Sequence, residues 1–157
     1  MDRHGREEQR SLLGFVLYAL AAHGDPPLTQ AGLSEALAAA LESADGRNLA
    51  DGVGLPSPEL LGGVGEILGA FGDWLRARGL VEGCGFSRAD HVLACEFRAC
   101  VCLDAVDRLR AGRPDAEPPC VLVGALVALL RARGVRAAVV SYRRTDEGCE
   151  WRLDSRR

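Results

Sequence analysis

The apolar residues of this 157-residue chain change their period at Gly79. Before it they recur every three or four positions, and after it they mostly alternate. Leu60, Val64, Ile67, Leu68, Phe71, Trp74 and Leu75 fall on one helical face, which Gly79 closes. His91, Leu93, Cys95 and Phe97 then alternate with Val92, Ala94, Glu96 and Arg98. Cys149, Trp151 and Leu153 alternate in the same way with Glu150, Arg152 and Asp154. A chain that groups helices first and brings its strands in hairpins is expected to be α+β with an antiparallel sheet.

The local signals predict the order α-α-α-β-β-α-β-β. A first helix spans residues 12–22, is apolar almost all round and should be buried. Gly24, Pro26 and Pro27 end it. A second spans residues 29–43, with Thr29 as N-cap and Leu33, Leu37 and Leu41 on one face. Residues 44–56 hold three glycines, two aspartates and a proline, and read as a loop. Ser57 and Pro58 then open a long third helix to Arg78. Strands are expected at residues 80–86 and 91–103, and a polar loop at 104–119 with at most a helical turn in 105–110. A fourth helix follows at 120–133. Strands 135–142 and 149–154 form the last hairpin, joined by 143–148.

Residues 1–10 read as a flexible charged tail, and residues 11–157 as one domain. The apolar runs at 12–22 and 120–130 fall short of the roughly 20 residues a membrane span needs. No secretory signal is legible, so the six cysteines are expected to be reduced and the protein cytoplasmic. All 19 basic side chains are arginine, yet the formal net charge is −3. That balance argues against nucleic acid as a partner.

Chemistry-bearing residues are sparse. No phosphate loop, nucleophile motif or paired metal-binding histidines occur, so no enzyme is expected. Gly62, Gly65, Gly69 and Gly72 would form a narrow stripe on the third helix. Each costs about 1 kcal/mol against alanine, so close approach of another backbone, within the monomer or across a dimer, or of a flat ligand is expected to offset them, with composition on a tolerant helix as the alternative. Cys120 opens the fourth helix and Cys149 the last strand. A fold that places that strand beside that helix start would join the two sulfurs. They are then the candidate metal pair, for zinc, with Cys95, Cys100, Cys102 or His91 completing the set. The alternative is that the cysteines act as small buried apolar residues.

The segment 118–153, PPCVLVGALVALLRARGVRAAVVSYRRTDEGCEWRL, resembles the C-terminal signature of 4-vinyl-reductase-type ligand-binding domains. These share the fold of TRAPP-complex subunits, the NO-signalling/Golgi-transport ligand-binding fold. The carrying features are Cys120 opening a small-residue-rich apolar helix with Gly124, then a hairpin closing in Cys149, Trp151 and Leu153. Gly79 and Leu80 match the step that precedes the family's first strand. Zinc-binding members carry a glutamate and a further cysteine where this chain has Ser141, Tyr142, Arg143 and Arg144.

The resemblance implies a non-catalytic module that binds a small hydrophobic molecule, dimerises through its helices and acts through a partner protein. Phe71, Trp74, Phe97 and Trp151 are the aromatics expected at such a ligand, with plain core as the alternative for each. The other open reading is a structural or assembly subunit that binds protein and no ligand.

Overall fold

The computed structural model describes residues 3–156, and side chains from Leu13 onward. Helices cover one face of a four-stranded antiparallel sheet of order β1-β2-β4-β3. The α+β class and the sequence of helices, hairpin, helix, hairpin are as the periodicity predicts.

Helix α1 (Arg3–His23) begins earlier than expected, so the backbone of 3–10 is helical where a tail was read. It is also one-sided rather than enclosed. Leu17 and Ala21 are buried, while Phe15, Val16 and Leu20 are exposed. Helix α2 (Gln30–Glu42) is capped as expected, with Thr29 Oγ1 accepting the Gly32 N–H at 3.0 Å. The segment read as a loop then holds α3 (Ala44–Gly52). Ser43 ends α2 and starts α3, its Oγ accepting the Gly46 N–H at 3.0 Å. One well-placed cap thus outweighed the glycines that favoured a loop.

The long third helix is broken. Pro58–Leu60 makes one turn of 3-10 helix, and α4 starts only at Val64 and runs to Ala77. Ser57 forms no side-chain cap. Glu66 instead reaches back to take the Gly62 N–H at 2.7 Å. The Gly62-Gly63 pair lets the chain leave helical geometry there at no steric cost. The glycine stripe is therefore shorter than expected. A Cβ at Gly65 or Gly69 would meet nothing within 4 Å, whereas one at Gly72 would lie 3.1 Å from Phe86 and 3.2 Å from Cys84. Only Gly72 serves close approach. Gly79 closes α4 with φ of +64°, as its position predicts.

Strands β1 (Gly83–Ala89) and β2 (Val92–Arg98) form the first hairpin. β2 stops at Arg98, short of the expected end, because Ala99 turns the chain with φ of +46°. The alternation persists to Leu103 in the sequence only because Val101 and the flanking cysteines are apolar. They pack in a turn, where the Val101 N–H reaches the Leu80 carbonyl at 3.0 Å. Helix α5 (Leu103–Gly112) follows in the segment read as a loop, burying Ala105, Val106 and Leu109. Helix α6 (Val121–Ala132) and strands β3 (Arg136–Arg144) and β4 (Gly148–Arg156) complete the fold.

The core lies between α6 and one sheet face. β2 and β4 pair as Leu93↔Leu153, Cys95↔Trp151 and Phe97↔Cys149. Leu93, Cys95, Phe97, Trp151 and Leu153 are wholly buried, as are Val123, Leu126, Val127, Leu129 and Leu130 of α6. Burying a side chain of this size contributes about 1.5–3 kcal/mol. α2 lies over the outer side of α6. A Cβ at Gly124 would come within 2.8 Å of Leu37 Cδ1, so glycine there sets how closely the helices approach. Among the described residues no helix is long and apolar enough to cross a membrane.

Candidate functional site

Of the four aromatics expected at a ligand, three are plain core. Phe71, Phe97 and Trp151 are wholly buried. Trp151 packs against Tyr142 with ring centroids 4.6 Å apart, and Phe97 meets Phe86 edge-on at 6.1 Å. Phe71 stacks on Trp74 at 5.7 Å. Trp74 alone of the four opens onto a cavity.

That cavity, about 330 Å³, lies between α2, α3, α4 and α6. Leu37 and Leu41 come from α2, Leu49, Ala50 and Val53 from α3 and its end, Trp74 from α4, and Ala125 and Ala128 from α6. Leu55 closes the rim, and no charged side chain lines the space. It exists because α6 carries small residues here. Gly124 draws α2 in, while Ala125 and Ala128 leave the volume beside it unfilled. The Trp74 indole N–H is not free for a ligand, since it donates to the Val53 carbonyl at 3.1 Å. Except for Trp74, the lining went unread in the sequence. The leucine spacing of α2 and the run of small residues in α6 were the available signals.

The cysteines gather at the other side of the core. All six are free thiols, and Cys95, Cys100, Cys102, Cys120 and Cys149 are buried. Cys102 and Cys120 sit at the N-caps of α5 and α6. The Ala99 turn carries Cys100 and Cys102 into the neighbourhood of Cys149 and Cys120. Cys120 is held through its backbone. Buried Gln30 accepts its N–H on Oε1 at 2.5 Å and donates Nε2–H to its carbonyl at 3.4 Å. The Trp151 indole N–H points at Cys149 Sγ, 3.3 Å away.

Charge is not shared evenly along this chain. The thiols of Cys102 and Cys149 hydrogen-bond to Cys100 and hold it well below the ordinary thiol range, aided by the backbone N–H groups of Cys102 and Leu103. Serving as donors to Cys100, Cys102 and Cys149 are raised, and burial adds to both shifts. Burial also pushes Cys95 up to about 12. Cys84 stands apart on β1, half-buried, with Arg76 donating to its sulfur at 3.1 Å. Its thiol is still raised, because burial outweighs the guanidinium.

The expected zinc set is not assembled among the described residues. Among the described residues no group of three or more His, Cys, Asp or Glu side chains is arranged to hold a metal ion. His91 precedes the opposite end of β2, where its carbonyl accepts the Ser155 N–H at 2.7 Å. The residues present do not fit a zinc site.

The lowered Cys100 value predicts that this thiol ionises before the others of the cluster as pH rises. Cys100→Ser should remove a thiolate absorbance that Cys84→Ser leaves in place. Because the folded value lies below the unfolded one, the ionised thiol contributes stability above the ordinary thiol range, and this is lost as pH falls through the lowered value. Identical spectra for both variants and wild type at neutral pH would show the cluster fully protonated.

The 4-vinyl-reductase and TRAPP likeness carries no support from comparison: no family model, curated protein or solved structure matches this chain.

Proposed function

We propose that this chain is a non-catalytic module that binds a small, neutral, apolar molecule in the cavity beside Trp74. The observation that carries the reading is the cavity itself. At about 330 Å³ it lies at the lower end of the range for small-molecule sites, and no charged side chain enters it. A charged ligand would lose its hydration there with nothing to replace it. A compact apolar ring system has no polar hydration to replace and gains by leaving water. The likeness of 118–153 to ligand-binding domains points the same way.

Output would pass through a protein contact, either a second copy or a different partner. Phe15, Val16 and Leu20 on α1 are exposed by 68%, 42% and 49%, which supports such a contact. The same face favours the second reading, an assembly subunit that needs no ligand. Six free thiols suit a reducing compartment such as the cytoplasm.

N-phenyl-1-naphthylamine, a neutral dye that brightens in apolar sites, tests the reading. Wild type should enhance its fluorescence saturably. Ala125→Trp, which fills the cavity from its half-open wall, should weaken binding by at least about tenfold at unchanged thermal stability. No saturable binding by wild type, or equal binding by both, would favour the assembly reading.

A further inference from the structure

We propose that α3 is a hinged lid over the apolar cavity, anchored at Ser43 and latched at its far end by the Trp74 indole. The inference rests on the ligand-binding reading and concerns how that site admits its occupant.

Helix α3 is the least secured element around the cavity. It has nine residues, none of them buried. Helices this short are marginal without tertiary packing. Leu49 lines the cavity yet is 73% exposed, and Val53, just past the helix end, is 53% exposed. α2, α4 and α6, by contrast, all bury side chains. The cavity thus has three fixed walls and one that packs loosely.

The two ends of α3 are held differently. At its start, Ser43 serves both helices, being extended between them with ψ of 151°. Arg47 reaches back from α3 to the carbonyls of Glu42 at 2.7 Å and Leu41 at 3.3 Å, the unpaired end of α2. That end is an anchor. At the other end the chain turns through Gly54, with φ of +69°. There Trp74 spans to the Val53 carbonyl from α4, a separate helix anchored in the core by Ile67, Phe71 and Leu75. An exposed hydrogen bond from Ser57 Oγ to Asp51 at 3.4 Å is a further, weak tie across this end. Breaking the indole bond frees the far end to swing about Ser43 and opens the cavity from the side of Leu49 and Val53. An apolar occupant then gains by covering both residues when the lid returns, so occupancy favours the closed state.

Hydrogen exchange on the full chain, with and without N-phenyl-1-naphthylamine, tests this, using Trp74→Phe to keep a ring and remove the donor. In the free protein, amides of 47–53 should exchange faster than those of α2 and α6, and the dye should slow them. In Trp74→Phe those same amides should exchange about tenfold faster, with α6 unchanged, and dye release in stopped flow should accelerate at least about threefold. Arg47→Ala, outside the cavity, should also speed exchange in 44–48 by loosening the anchor. Dye binding with unchanged exchange and release in Trp74→Phe would overturn the lid and leave the binding reading standing. Absence of dye binding to wild type would overturn both.

Discussion

Trp151→Ala should lower the unfolding free energy by about 3–5 kcal/mol, the range for deleting a fully buried large aromatic. Trp151 is wholly buried on β4, paired across the sheet with Cys95 and packed on Tyr142. Three losses coincide in this variant. The transferred apolar surface is lost, a cavity opens under α6, and Cys149 Sγ loses its indole donor. Tyr142 is also undermined. Arg110 stacks over its ring at 5.3 Å, and its buried hydroxyl makes no well-formed hydrogen bond among the described residues. Urea unfolding followed by circular dichroism measures the effect, with an unchanged slope expected if the denatured state is unaltered. A loss under about 1 kcal/mol would mean that the residue is not in the core at all.

Gly148→Ala should cost about 3 kcal/mol or more, through crowding rather than a void. A Cβ there would lie 1.9 Å from the Phe97 carbonyl oxygen and 2.9 Å from Arg98 Cα. Both are backbone atoms, so no side chain can swing aside. Nor can β4 shift, since Gly148 pairs with Arg98 and its carbonyl accepts the Thr145 N–H at 3.0 Å. Relief requires opening the sheet at the end that holds Cys149 and Cys100. Gly69→Ala is the matched control. Its Cβ would enter open space on α4, so a gain of about 0.4–1 kcal/mol is expected. Thermal melts of the two variants should move in opposite directions. A Gly148→Ala protein as stable as wild type would mean that β2 and β4 are not so close.

The two glycines show how far a sequence can be read. Spacing marks Gly69, in the expected stripe, for close approach and passes over Gly148, whereas the structure leaves Gly69 in open space and sets Gly148 against Phe97. Gly79, by contrast, was legible, because the apolar period changes there and a helix end favours a residue free to take positive φ. Thr29 was legible for a similar local reason. Helices α3 and α5 were not. Each is short and polar overall, and their turn-forming residues matched a loop equally well. For α5 a signal did exist, in the helical spacing of Leu103, Val106 and Leu109 after the cysteines.

The candidate site divides in the same way. Trp74 was among the residues expected at a ligand, yet so were Phe71, Phe97 and Trp151, all core. Aromatics at helical or alternating spacing look alike whether the opposing wall is full or open. The spacing of Cys120 and Cys149 offered a metal pair, but it could not show that the Ala99 turn carries Cys100 and Cys102 into the same neighbourhood.

By itself the sequence determined the α+β class, the order of helices and hairpins, and which face of β2 and β4 is buried. These follow from periodicity and capping, which act between residues a few positions apart. Only the tertiary structure decided where the cavity lies, which aromatic borders it and how the thiols are linked. Those features depend on what packs opposite, on residues as distant in the chain as Gln30 and Cys120, and no local pattern encodes the space left between them.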